Sequence, residues 1–254
     1  MCAAPFPAGS TPSAPRPVIL VHGAWHGAWC WSALQAELDR RGVPSYAVDL
    51  PGQGASTAPL GDLHGDAAHV ADVVDRLGTD VVLVGHSYGG AVITEAAVRT
   101  ARVAHLVYLA AFALDAGESV LGLLRSLPHH EVALSAAMRP GAVEGTTVLD
   151  PVAAVPALYG RCDPTVVRAA LARLSPQSMA TFTQETTGCP RPRIGSTYVV
   201  CTEDEAVHPE HQAAMATRCD TVVRLATDHS PFVSAVAATA DVIEAAATGA
   251  PAAS

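Results

Sequence analysis

A short apolar run at 81–84 leads straight into Gly85-His86-Ser87-Tyr88-Gly89-Gly90-Ala91, and helical spacing begins at Tyr88 and holds to Arg99. The chain therefore has to turn from a buried strand into a helix with a serine at the bend. A serine at such a bend takes a strained backbone conformation. Side chains at Gly85 and Gly89 would strike neighbouring backbone, so glycine on both sides is a steric requirement. G-x-S-x-G also turns up by chance, and its weight comes from having a strand before it and a helix after it.

Around this turn, apolar runs at 17–21, 45–48, 81–84 and 103–108 alternate with helical patterns at 28–41, 64–77 and 88–99. That alternation predicts parallel strands joined by crossover helices. In the helix at 64–77, Leu63, Ala67, Val70, Val74 and Leu77 make the core face, while His64, Asp66, His69, Asp72 and Asp75 fall on the solvated one. Residues 113–190 read as helical pieces broken by Pro140, Pro151, Pro156 and Pro164 without a clear strand, which suggests an inserted helical cap. Strand pattern returns at 196–201 and 221–225, and a last helix is expected over 231–247. The expected organisation is a core of 17–112 and 191–247, a cap of 113–190, and disordered tails at 1–16 and 248–254.

Composition narrows the partners. Half of the 254 residues are hydrophobic, enough for a full core, and the formal net charge of -9 with no cluster among 15 basic residues argues against nucleic acid or an anionic membrane. No apolar stretch of spanning length is present. The six cysteines show no metal spacing and no C-x-x-C pair, and the start shows neither a charged n-region nor an apolar h-region. A cytoplasmic enzyme without metal or cofactor, acting on a small, neutral or weakly polar molecule, is the expectation.

A serine hydroxyl needs a base, and the base needs an acid to hold its tautomer. Of 11 histidines only His229, between the last strand and the final helix, is placed to serve Ser87. His129 and His130 fall in the cap and His105 in a strand, and a His208/His211 metal pair lacks a third ligand. The acid is expected after the strand at 196–201, where Glu203, Asp204 and Glu205 follow one another; Asp204 is preferred, though spacing alone does not separate them. An oxyanion hole requires two backbone N–H groups, expected from Tyr88 and from Ala24, which follows His22-Gly23. His22 itself reads as a structural turn residue.

Six stretches in order, VILVHGAWHGAWCW, VDLPGQGAS, VLVGHSYGGAVIT, VYLAAFALDAGES, YVVCTEDEAVHPEHQ and TDHSPF, resemble the α/β-hydrolase fold family over about 17–247. The resemblance is to the branch of plant methylesterases, hydroxynitrile lyases and bacterial carboxylesterases of the pyrethroid-hydrolase type. It implies a mostly parallel central sheet flanked by helices, with Ser87, Asp204 and His229 at the nucleophile, acid and base positions and Ala24 and Tyr88 at the oxyanion hole. The lyases of this branch carry a lysine after the catalytic histidine and a threonine in the first-strand loop, where this chain has Ser230 and Gly23.

The resemblance thus implies a serine esterase that takes a small hydrophobic ester through an acyl-enzyme. A lactonase, a thioesterase or a biosynthetic acyl-transfer enzyme is the alternative, with hydroxynitrile lyase or a non-catalytic ligand receptor behind these. Trp25, His26, Phe112, Leu124, Leu158 and Phe182 are the expected pocket residues, and an apolar cap can also serve as a homodimer surface.

Overall fold

The computed structural model describes residues 14–250. In chain order the core begins with β1 (Val18–Val21), a 3-10 turn (Ala28–Trp31), α1 (Ser32–Arg40), β2 (Ser45–Val48), α2 (Leu63–Leu77), β3 (Val81–His86), α3 (Gly89–Arg99) and β4 (Val103–Leu109). The cap holds α4 (Val120–Ser126), α5 (Ala133–Ala137), β5 (Met138–Pro140), β6 (Thr146–Leu149), α6 (Ala154–Tyr159), α7 (Pro164–Leu171), β7 (Gln177–Ser178) and α8 (Ala180–Thr183). The core closes with β8 (Gly195–Cys201), α9 (Pro209–Ala216), β9 (Thr221–Leu225), α10 (Pro231–Ser234) and α11 (Val236–Thr248).

The central sheet runs β2-β1-β3-β4-β8-β9 with every pairing parallel. Strands buried on both faces carry no polar alternation, and β1 and β3 are buried at every residue. From β1 the chain goes to one side for β2 and to the other for β3, so the loops leaving β1 and β3 diverge at the carboxyl ends of the two strands. An open α/β sheet binds its ligand at such a switch point, and both the Gly23 loop and Ser87 leave the sheet there. Among the described residues no helix is long and apolar enough to cross a membrane.

Three sequence expectations are corrected. The cap is not purely helical: β5, β6 and β7 form a small antiparallel sheet. These strands are two to four residues long and include Arg139 and Pro140, too short for a period-2 pattern to register. Asp66 is buried rather than solvated, because α3 and α8 both pack on α2 and cover more than its one apolar face. The ordered chain also extends past the expected tail limits: Arg16 N–H donates to Ala247 O at 2.9 Å, and Gly249 ends α11 in the left-handed conformation. The remaining tail positions, 1–13 and 251–254, lie outside the described residues.

Candidate active site

Ser87 has φ 52°, the left-handed region that disfavours a side chain. What holds it there is the packing of the turn. A Cβ on Gly85 would sit 2.4 Å from Gly89 O, one on Gly89 2.5 Å from Val21 O, and one on Gly90 2.8 Å from Ala111 Cβ. Ser87 N–H donates to Leu109 O and its carbonyl accepts from Phe112 N–H, so the bend is pinned to the end of β4. Strain at this serine is held by the surrounding backbone.

The loop after β1 approaches the same point. A Cβ at Gly23 would meet Ser87 Cβ and His86 Nδ1 at 2.9 Å, so only glycine lets this loop lie against the bend. His22 is structural, as its position in the turn suggested: its Nδ1–H donates to Gly23 O at 2.8 Å and its Nε2 accepts from Leu50 N–H at 3.1 Å. Burial holds its imidazole down to about 4, and hence neutral. Trp25 has φ 62°. Among the described residues the N–H groups of Ala24 and Tyr88 donate to no acceptor. Both residues border the cavity that holds Ser87, and a buried amide without an acceptor is uncommon enough to call for a ligand.

His229 Nδ1–H donates to Asp204 Oδ2 at 2.6 Å, with both side chains buried. The other lone pairs of Asp204 are filled by Gln212 Nε2 on Oδ2 at 2.7 Å and by the N–H groups of Ala206 and Val207 on Oδ1 at 2.7 and 2.9 Å. Four hydrogen bonds from three separate directions fix this carboxylate in place. The three adjacent acids are thereby separated by geometry: Glu203 is exposed and pairs with Arg161, and Glu205 is exposed. Ser87 and His229 are linked through His86, whose Nε2–H donates to His229 O at 2.8 Å and whose ring lies 4.5 Å from the His229 ring. Among the described residues no hydrogen bond joins Ser87 Oγ to His229 Nε2. Such pairs commonly tighten only when substrate is bound.

Ser87 opens into a cavity of about 80 Å³ lined by apolar groups, including Trp25, Tyr88, Phe112, Leu124, Phe182 and Val207. Two expected pocket residues are elsewhere. His26 is turned away, its Nδ1–H on Ala24 O and its Nε2 accepting from Tyr159 O–H at 2.7 Å, and burial holds its imidazole down to about 3. Leu158 packs inside the cap against Ala137, Ala154 and Val167. A larger cavity of about 290 Å³ near Trp29, Tyr159 and Arg173 does not include Ser87.

Sequence reasoning missed the residues that hold the site together. Trp25 N–H donates to Gln177 Oε1 and Trp25 Nε1–H to Thr147 Oγ1, both at 3.2 Å, while Trp25 O accepts from Ser175 N–H at 2.9 Å, so the cap grips the loop after β1 from three sides. Asp228 accepts from Arg161 N–H of the cap at 2.8 Å and from Ser234 Oγ–H at 2.6 Å, fixing the segment before His229. Tyr88 turns its hydroxyl from the cavity onto Asp66 Oδ2 at 2.7 Å. Apart from the Asp228–Ser234 bond, these contacts join residues far apart in the chain and leave no local signal.

The parallel sheet, the serine bend and the inserted cap define an alpha/beta hydrolase. The chain matches the alpha/beta hydrolase family model over residues 18–242, and it belongs to that family. Alpha/beta hydrolase nvfD of Aspergillus novofumigatus is 30% identical over 232 residues, 85% of this chain and 90% of that protein. The carbendazim hydrolyzing esterase of a Nocardioides species is 40% identical over 116 residues, 43% of this chain and 48% of that protein, so the match spans about half of that esterase. Among solved structures, a pyrethroid hydrolase from Sphingobium faniae has a TM-score of 0.81 at 25% identity, with 93% of this chain and 98% of that one covered. The methylesterase MES16 from Arabidopsis shares the fold, with a TM-score of 0.76 at 24% identity, covering 89% and 95%.

Proposed function

We propose that this carboxylic-ester hydrolase cleaves small apolar esters through an acyl-enzyme on Ser87. The observation that carries the reading is the convergence at one apolar cavity of a strained serine and two unengaged amide N–H groups, with the Asp204–His229 pair joined to the same turn through His86. His229 takes the Ser87 proton as the hydroxyl adds to the ester carbonyl, Ala24 and Tyr88 N–H groups receive the oxyanion, and His229 returns the proton to the leaving alcohol. Water, activated by the same imidazole, then releases the acid. Asp204 fixes the Nδ1–H tautomer, leaving Nε2 free to accept.

The lining supports an apolar substrate, since apart from Ser87 it offers no charged or hydrogen-bonding side chain other than the Trp25 and Tyr88 rings, whose polar atoms are engaged elsewhere. A thioesterase for an anionic carrier would need cations at this cavity; Arg125, Arg139, Arg161 and Arg168 do not line it. Lysine-assisted cyanohydrin cleavage has no support, because all 15 basic residues are arginine and position 230 is a buried serine. Free thiols at all five described cysteines support a reducing, cytoplasmic location.

The test is hydrolysis of short-to-medium acyl p-nitrophenyl esters by the wild type and Ser87→Ala. Turnover that falls at least about a thousandfold in the variant is expected. Equal rates in the two proteins would remove Ser87 from the chemistry.

A further inference from the structure

The geometry points to Tyr159 of the cap as a positioning residue for the oxyanion hole, acting through His26 on the peptide that follows Ala24. The inference rests on the acyl-transfer reading above and concerns what aims one of its two donors.

The backbone is held on both sides of the Ala24 Cα. His22 Nδ1–H donates to Gly23 O at 2.8 Å, and because a peptide unit is planar this fixes the unit whose N–H belongs to Ala24. His26 Nδ1–H donates to Ala24 O at 2.8 Å and Gln177 Oε1 accepts from Trp25 N–H at 3.2 Å, so the next peptide is held at both its ends. That second peptide needs holding. Trp25 stands at φ 62°, a conformation disfavoured for a residue with a side chain, and rotation of the Ala24–Trp25 peptide would relieve it. The same rotation changes ψ of Ala24 and loosens the loop that presents its N–H to the cavity.

The direction of each bond follows from the atoms. A carbonyl only accepts, so the His26 proton sits on Nδ1, and a neutral imidazole with its one proton there has a bare Nε2. Burial keeps the ring neutral, holding it down to about 3. The Tyr159 hydroxyl therefore donates to Nε2, at 2.7 Å, with both side chains buried. Burial also pushes that phenol well above its usual range, so it keeps the proton it donates. Two opposed anchors, one at each nitrogen, fix the tautomer and the plane of the ring together. Without the hydroxyl, Nε2 is a buried acceptor with no donor, a costly state that is relieved by turning the ring off Ala24 O or by admitting water.

The same turn of the cap reaches the other half of the site. Cys162 N–H closes the turn on Tyr159 O at 3.1 Å, and Arg161 N–H, inside it, donates at 2.8 Å to Asp228 Oδ2, next to His229. One short turn of the cap therefore touches both the loop that carries an oxyanion donor and the loop that carries the base. Its seating on the core sets the two together.

Steady-state hydrolysis of p-nitrophenyl acetate by the full-length wild type, Ser87→Ala, Tyr159→Phe, His26→Asn and His26→Leu tests the chain of contacts, with circular dichroism to check folding. Tyr159→Phe removes a single oxygen and should lower kcat about tenfold or more while KM stays within about threefold, because the donor acts on the transition state. The second readout is a short alkyl trifluoromethyl ketone. The Ser87 hydroxyl adds to its carbonyl carbon, the proton passes to His229 and the carbonyl oxygen becomes an oxyanion, so its affinity should fall by a similar factor. His26→Asn keeps an N–H able to reach Ala24 O and His26→Leu has none, so the asparagine chain should be about tenfold or more faster. That comparison stands by itself should Tyr159→Phe not fold. Tyr159→Phe kinetics within about threefold of the wild type, a loss confined to KM, an unchanged ketone affinity or parity of the two His26 variants overturns the proposal. Equal rates in Ser87→Ala and the wild type overturn instead the acyl-transfer reading on which it rests.

Discussion

The backbone N–H of Trp25 donates to Oε1 of Gln177 at 3.2 Å, tying the loop after β1 to β7 of the cap. Gln53 Nε2 supports the same oxygen at 3.0 Å, and Gln177 Nε2 is in turn held by Thr181 Oγ1 at 3.0 Å. Trp25 holds a left-handed conformation, and its position fixes the direction of the Ala24–Trp25 backbone. The cap therefore contributes to orienting one proposed oxyanion donor as well as walling the cavity. Gln177→Ala should lower kcat by roughly ten- to a hundredfold, below the cost of deleting a donor outright, because the donor is misplaced and not removed. KM should change little if the donor acts mainly on the transition state. Steady-state kinetics on a p-nitrophenyl ester decides it, and a change confined to KM would make Gln177 a substrate contact instead.

Asp204 accepts from two donors on Oδ2, His229 Nδ1–H and Gln212 Nε2–H, and from two backbone N–H groups on Oδ1. Asparagine keeps one oxygen acceptor and replaces the other with a donor. With its oxygen on Ala206 and Val207, its amide nitrogen would face both Gln212 and His229, and the imidazole could answer only by moving its proton to Nε2. That tautomer cannot accept the serine proton. Asp204→Asn is expected to lose on the order of a thousand- to ten-thousandfold in kcat with the fold intact. Glu203→Gln and Glu205→Gln, whose carboxyls are exposed, should stay within about threefold, well short of a triad loss; a large loss at either would move the acid.

Local constraints explain which features the sequence disclosed. The serine bend was legible because the glycines at 85, 89 and 90 are demanded by contacts within a few residues or with the adjacent strand ends, and the strand-helix alternation because parallel strands buried on both faces read as plain apolar runs. Asp204 could be preferred but not separated from its neighbours, since what distinguishes it is a glutamine and a histidine on other elements. His26 and Leu158 were misplaced for a related reason: an apolar or aromatic residue near the site in sequence faces the cavity or its back wall according to a tertiary partner, here Tyr159 and the interior of the cap. Asp66 failed because helical periodicity assumes one buried face, and α2 is covered on a second side.

That buried Asp66 makes a pH-dependent prediction. Burial pushes its carboxyl up to about 7, with the Tyr88 hydroxyl pulling the other way. An unfolded aspartate titrates near pH 3.9, so between about pH 4 and 7 the native state keeps a proton that the unfolded chain has lost. Stability from this residue therefore falls as pH rises through that window and is level above it. Asparagine accepts from the Tyr88 hydroxyl without ionising. Urea unfolding should show Asp66→Asn gaining on the wild type progressively from pH 4 to 7, reaching on the order of a few kcal/mol. A difference that does not vary with pH would mean Asp66 stays in one protonation state.

The buried histidines act in the opposite direction. Burial lowers His22 to about 4 and His26 to about 3, and it holds His86 well below the usual imidazole range. Each is neutral in the folded chain and takes up a proton on unfolding below about pH 6.5. The unfolded state then binds more protons, so stability drops as pH falls, by about 1.4 kcal/mol per pH unit for each residue. Three such groups give a slope of about three protons near pH 5, and Asp66, which binds its proton in the native state there, takes one away. The wild type should show a net slope near two protons from these four residues and Asp66→Asn near three. His26→Gln should reduce the wild-type slope by about one, because glutamine does not titrate in this range. Urea midpoints across pH 4.5 to 6 measure all three chains, and equal slopes in the wild type and His26→Gln would show that His26 is protonated inside the fold.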